Sequence, residues 1–232
     1  MLFYYVRHGD PIYTPDSLTP LGHLQAEALA KRLCLYGLDR IFASTSTRAI
    51  QTAEPTAKLL KKEITQLDFA NEGHAWRDLT IKKRWLFQEP SNRHLFKSDE
   101  IIALGDRWYE HPSYKEYNYK AGMDRISSAA FEFFEELGYK HDGVGRYKVI
   151  NDNNERIALF AHQGFGLACL SVVLGIPYPQ FSTTFDFGHS GLTLIEFKNE
   201  DGFAYPRVLT LANDSHIYRE GLPTKYQNSI YF

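Results

Sequence analysis

Leu2-Phe3-Tyr4-Tyr5-Val6-Arg7-His8-Gly9-Asp10-Pro11 decides the fold class. Residues 2–6 form a short apolar, aromatic run, and Gly9 and Pro11 end it, so the run reads as a buried strand with Arg7 and His8 at its carboxyl end. Thr19 and Pro20 then mark a helix start: threonine caps, and proline suits the first helical position. Leu21, Leu24, Ala28 and Leu35, with Leu29 and Leu33 beside them, give that helix an apolar stripe. Gly37 is its natural stop. The unit repeats with a strand over 38–43, a turn and cap at Ser44-Thr45-Ser46-Thr47, and a helix over 48–61. Strand, loop and helix in alternation predict an α/β fold, a three-layer αβα sandwich around a mainly parallel sheet.

The rest of the chain is consistent with one domain over residues 1–232. Residues 80–120 interrupt the alternation with Lys82-Lys83-Arg84, Trp85, Phe87, Trp108, Tyr109, Tyr114, Tyr117 and Tyr119. They read as an inserted helical and aromatic cap, with one helix over 98–110. A long helix follows over 124–137. Segments 146–150 and 155–160 flank Asn151-Asp152-Asn153-Asn154 and read as a hairpin. A helix over 165–174, closed by Gly175 and Pro177, precedes strands over 192–197 and 205–211.

Composition excludes some functions. The formal net charge of the 232 residues is -2, which provides no basic field for nucleic acid. Phosphate recognition, if present, must be local. Cys34 and Cys169 sit in apolar segments and read as buried small hydrophobes without a zinc-ligand spacing. The N-terminal run breaks at Arg7 and lacks the features of a signal peptide, and no run is long enough to span a bilayer. A soluble, cytoplasmic protein is expected.

Unusual polar residues mark three strand ends: Arg7-His8-Gly9, Ser44 to Arg48, and His162-Gln163-Gly164. Ligands of open α/β sheets bind outside the carboxyl ends of strands. Arginine forks suit a phosphoryl dianion, and Arg7 and Arg48 could each supply one. Arg48 also begins a helix, where free N–H groups favour anions. Neutral imidazole can attack phosphorus, which suits His8, and Gly9 allows close backbone approach. His162 could bond an equatorial oxygen. The leaving oxygen needs a carboxyl with a raised pKa. The rival use of these groups is a metal centre built from His8, His74, His162 and His189 with Asp10 or Glu72. Arg7 and Arg48 would repel a dication there, and no HxH or HxxxH pair occurs.

Four motifs carry a family resemblance: Arg7-His8-Gly9, Leu18-Thr19-Pro20-Leu21-Gly22-His23-Leu24-Gln25-Ala26, Ser44-Thr45-Ser46-Thr47-Arg48-Ala49-Ile50-Gln51-Thr52-Ala53, and Ala161-His162-Gln163-Gly164. In this order they resemble the histidine phosphatase superfamily, the phosphoglycerate mutase-like proteins. The resemblance implies that His8 is the phosphorylated nucleophile and that Arg7, Arg48 and His162 form the phosphate pocket. Gln163 would add a donor. It implies an acid on the loop 68–78, where Glu72 is the choice and Asp68 and Asp78 are the alternatives. His74 would tune Glu72 or touch substrate. His189 could reach the site from the far side or simply pack.

Phosphatase is the reading preferred over mutase. A mutase needs a larger basic lid, whereas Asp10-Pro11-Ile12-Tyr13 departs from mutase wording and the tail 224–232 carries one basic residue, Lys225. A family member that only binds a phosphorylated ligand is the third reading. The expected partner is a small phosphorylated substrate, with no cofactor, no metal, no nucleic acid and no membrane. A homodimer is left open.

Overall fold

The computed structural model describes residues 1–224, so the expectation for the tail around Lys225 lies outside the described residues. In chain order the elements are β1 (Leu2–Arg7), the hairpin β2 (Pro11–Tyr13) and β3 (Asp16–Leu18), α1 (Pro20–Tyr36), β4 (Arg40–Ser44), α2 (Thr47–Leu60), β5 (Ile64–Leu67) and α3 (Glu72–Asp78). Next come the hairpin β6 (Thr80–Ile81) and β7 (Arg84–Trp85), α4 (Pro90–Leu95), α5 (Asp99–Leu104), α6 (Tyr119–Glu136), β8 (Tyr139–His141) and β9 (Tyr147–Val149). The last are β10 (Arg156–Ala161), α7 (Gln163–Leu174), α8 (Tyr178–Thr184), β11 (Leu192–Glu196), β12 (Asn199–Glu200), β13 (Phe203–Ala204), β14 (Arg207–Asn213) and α9 (Ser215–Arg219).

The main sheet has the order β14-β11-β1-β10-β4-β5. β1 pairs in parallel with β10, β10 with β4, and β4 with β5, while β11 and β14 add an antiparallel edge. The sheet is therefore mainly parallel, as expected. Strand side chains alternate between faces, and β1 shows the result. Phe3 and Tyr5 join one core, with residues of α6 and α7. Tyr4 and Val6 join the other, with Leu29 and Leu33 of α1 and Ala53 and Ala57 of α2. Both faces of the strand are covered, which explains its continuous apolar run.

The helix signals hold locally. The Thr19 side chain accepts from the Gly22 N–H at 3.0 Å, and Gly37 ends α1 at φ 73° with its N–H on Leu33 O. The stripe expected on α1 is only partly right: Leu24 is 49% and Leu35 73% exposed. Small residues hold the buried face instead, with Gly22, Ala26 and Ala30 beside Leu29 and Leu33. Gly22 is a point of close approach. A Cβ there would lie 2.2 Å from the Asp10 carbonyl oxygen, and one on Gly9 would lie 2.7 Å from the Gly22 carbonyl oxygen. Gly22→Ala must therefore push the loop after His8 off α1. It is expected to cost about 1–3 kcal/mol, read as a lower denaturant midpoint at unchanged slope. An unchanged midpoint would contradict the packing.

Three further expectations need correction. The segments around Asn151–Asn154 do not form a hairpin: β9 pairs with β8 and β13 in a separate small sheet, while β10 lies in the main sheet. The long helix begins at Tyr119, not near 124, because Asn118 caps it through Ala121 N. The helix expected over 98–110 is capped by Ser98 but breaks at Gly105 (φ 57°), after which the chain continues as a 3-10 turn. Cys169 is buried, whereas Cys34 is only half-buried, and neither is in a disulfide.

Residues 80–120 pack through their rings. Trp108 is 1% exposed and lies 5.4–5.6 Å, centroid to centroid, from Phe96, Tyr114, Tyr119 and Tyr178. Trp85 and Phe87 are also buried. Lys82 and Lys83 form the left-handed turn of the β6–β7 hairpin, at φ 51° and 59°. Among the described residues, no helix is long and apolar enough to cross a membrane.

Candidate active site

Topology alone gathers the site. β1, β10 and β4 are neighbours, and Arg7 pairs with Ala161 while Phe160 pairs with Ala43. Their carboxyl ends therefore bring His8, His162 and the segment from Ser44 to Arg48 together. The rings of His8 and His162 lie 5.1 Å apart.

His8 is 1% exposed. Its Nδ1 lies 2.7 Å from the Gly9 carbonyl oxygen. A carbonyl only accepts, so Nδ1 carries the hydrogen and Nε2 presents a lone pair. Burial, then the nearby His162 and Arg7, push the His8 pKa well below its ordinary value, so the imidazole is neutral at physiological pH. The loop is fixed from behind. Gly9 N–H donates to Thr52 Oγ1 at 3.0 Å, and Thr52 donates to Arg48 O at 2.7 Å.

His162 caps α7 and is fully buried. Its Nε2 lies 2.8 Å from Ser44 Oγ and 3.1 Å from Ser46 Oγ. With the hydroxyls donating, Nδ1 carries the hydrogen. It lies 3.6 Å from Glu72 Oε2, beyond hydrogen-bond reach, and has no other partner among the described residues. The Tyr5 hydroxyl accepts from His162 N–H at 3.2 Å and donates to its carbonyl at 2.5 Å. Burial, then Arg48 and Arg7, depress the His162 pKa strongly.

Glu72 opens α3 and faces the start of α7. Its Oε1 accepts from Gly164 N–H at 2.8 Å, and Oε2 lies 3.4 Å from Arg48 Nη2. Burial raises its pKa, against the pull of Arg48 and the backbone N–H groups. The alternative acids lie elsewhere. Asp68 is 77% exposed and pairs with His74 at 3.0 Å, and Asp78 pairs with Arg125 at 2.8 Å. His74 therefore meets Asp68, not the Glu72 carboxylate.

Both arginines are tethered. Arg48 Nη1 bonds Asp16 Oδ1 at 2.6 Å. Arg7 donates through Nη1 to Phe187 O and through Nη2 to His189 Nε2, the latter at 3.0 Å. Each terminal nitrogen keeps a second N–H for a ligand, and Arg7 Nε is buried without a partner among the described residues. His189, left open between packing and site, stands at the site. Its ring stacks 5.7 Å from His8, and Nδ1 lies 3.3 Å from Asp10 Oδ1. The Gln163 side chain donates to Asp186. At Gly9, the space where a side chain would be is taken by Gly22.

Ser44, Ser46 and Asp16 carry no site role in the sequence reading, and Asp10 enters it only as a ligand of the rival metal centre, whereas here it faces His189. Ser44 and Ser46 read there as a turn and cap, and their alternation before Arg48 is the signal that could have identified them. The ligand atoms of His8, Glu72 and His162 all lie within 4.8 Å of one another, a spacing compatible with a metal ion. The adjacent guanidinium groups oppose a dication electrostatically.

The fold matches solved phosphatases. A phosphoserine phosphatase variant from Entamoeba histolytica, in complex with phosphoserine, superposes with TM-score 0.61 at 15% identity, covering 93% of this chain and 98% of its own. A mycobacterial glucosyl-3-phosphoglycerate phosphatase gives 0.58 at 16% identity, with 90% and 97% covered. The α-ribazole phosphatase from Shigella flexneri gives 0.59 at 16%, with 92% and 97% covered. At these identities the likeness is one of fold. No curated protein matches the sequence. The family model of the histidine phosphatase superfamily, branch 1, matches residues 3–208, and the chain belongs to that family.

Proposed function

We propose that the chain is a metal-independent phosphatase that hydrolyses a small phosphomonoester through a phosphohistidine on His8. The observation that carries this reading is the state of His8: a neutral imidazole with Nδ1 held by a carbonyl and Nε2 presenting its lone pair beside the second histidine. The phosphoryl group would lie against Arg7, Arg48 and His162 Nδ1–H. Buried donors without partners are costly, and phosphate oxygens would satisfy both His162 Nδ1 and Arg7 Nε.

In the first step Nε2 attacks phosphorus, the P–O ester bond breaks, and the leaving oxygen takes the proton of Glu72. In the second step the Glu72 carboxylate removes a proton from water, whose oxygen attacks phosphorus as the N–P bond breaks. Inorganic phosphate leaves and His8 returns to its neutral form. Asp16 orients Arg48, and His189, braced by Asp10, orients Arg7. The phosphatase names of the structural neighbours, which act on phosphoserine, glucosyl-3-phosphoglycerate and α-ribazole phosphate, support a small phosphorylated substrate.

The test is release of inorganic phosphate from a simple phosphate ester in excess chelator. Full turnover is expected. Activity that disappears with chelator and returns with zinc would overturn the mechanism, because the cluster of His8, Glu72 and His162 would then be a metal centre.

A further inference from the structure

Trp85, Phe87 and Trp108 of residues 80–120 are buried. Two other rings at the rim are not: Trp76 is 42% and Tyr13 66% exposed. Large exposed aromatics beside a polar site call for an explanation.

Tyr13 borders Arg48 directly. Trp76 lies four residues after Glu72, and helix spacing sets it on the side of α3 that carries Glu72. The Trp76 ring meets Trp85 edge to face at 5.0 Å. Trp85 in turn fills the space above Gly164, where a Cβ would come within 2.3 Å of the indole. The Gly164 N–H holds Glu72, so Trp76 is tied to the acid by two routes. At the other end, the Arg48 guanidinium carbon lies 5.4 Å from the Tyr13 ring centroid. The acid must touch the leaving oxygen, so whatever carries that oxygen has to lie along the pair Arg48–Glu72.

We propose that Tyr13 and Trp76 form an aromatic clamp for the leaving alcohol, and that the preferred substrate is a phosphomonoester whose alcohol bears a flat aromatic or heteroaromatic ring. This rests on the phosphatase reading and names its substrate class. The rim also disfavours a second anionic group. Asp16, Asp10 and Glu72 are all partly exposed there, and Arg48 is already held by two of them. A neutral or cationic ring meets no such repulsion and gains stacking with both aromatics.

The test compares kcat/KM for benzyl phosphate and n-butyl phosphate. Both leave as primary alkoxides, so the demand on Glu72 is closely similar. The wild-type protein is expected to favour the benzyl ester by roughly tenfold. Tyr13→Ala and Trp76→Ala should each reduce that preference, mainly through KM, and the double variant should bring it close to one. Trp76→Phe should keep most of it, which a purely structural role for the indole would not explain. Equal rates on both esters in the wild-type protein, or a preference that survives loss of both rings, would overturn the clamp and leave the phosphatase reading standing. Failure to hydrolyse either ester in a His8-dependent way would overturn that reading, and the clamp with it.

Discussion

His8→Asn is expected to lower kcat/KM by at least about 10³-fold, with the fold intact. The substitution isolates chemistry from packing. An asparagine amide can reproduce the bond from Nδ1 to the Gly9 carbonyl, and it fills much of the same buried space. It has no lone-pair nitrogen to place at phosphorus. His8→Ala should be equally inactive, because both lose the nucleophile. Arg7, Arg48 and His162 would still bind the phosphoryl group, so affinity for inorganic phosphate should change far less than turnover. Near-normal turnover in a folded His8→Asn protein would remove His8 from the reaction. The comparison is read as initial rates, with near-UV circular dichroism reporting the fold.

Glu72→Gln should lower turnover of alkyl phosphates by about 10²–10⁴-fold. The amide oxygen can still accept from Gly164 N–H, so the start of α7 keeps its anchor. What disappears is the proton. The loss should depend on the leaving group: nitrophenyl phosphate expels a stable anion and needs little protonation in the first step. Its second step still needs a base, so phosphoenzyme should accumulate in this variant. The pH profile follows from two shifts of opposite sign. His8 must be neutral, and its depressed pKa moves the acidic loss of activity well below pH 6.5, its ordinary titration range. Glu72 must be protonated in the first step, and its pKa is raised above the ordinary 4.5, which moves the alkaline loss upward. The bound phosphate dianion raises it further. Glu72→Gln should therefore lose the alkaline limb and keep the acidic one. An unchanged profile would place the acid on another residue.

Local signals in the chain were enough for the strand ends that hold the candidate site. Thr19-Pro20, Ser44 to Thr47 and Gly175 are capping and turn residues whose preferences act within a few bonds, so the helices they bound were readable. Parallel pairing follows once strands alternate with helices, and it puts the strand ends that carry His8, His162 and Arg48 at one edge of the sheet; the order that seats β10 between β1 and β4 is seen only in the structure. What was not readable depends on distant partners. His189 reaches Arg7 because the start of β11 lies against the end of β1, with Ser190 N–H on His8 O at 3.0 Å and Arg7 N–H on Gly191 O at 3.2 Å. Asp16 reaches Arg48 through the β2–β3 hairpin, whose strands are only three residues each. The false hairpin around Asn151–Asn154 shows the same limit: turn residues indicated a reversal, but β13 and β8 competed for β9. On α1, a hydrophobicity stripe pointed to Leu24 and Leu35, whereas close packing on α2 selected alanines.

The central claim is a covalent phosphoryl group on one nitrogen of His8. Its direct measurement is acid-avoiding quench of Glu72→Gln during turnover of nitrophenyl phosphate, followed by peptide mass spectrometry. The expected result is a single phosphorylated residue, His8, stable in alkali and lost in acid, and absent from the same preparation of His8→Asn. Turnover with no phosphorylated protein at any time, or phosphate on a residue other than His8, would contradict the account.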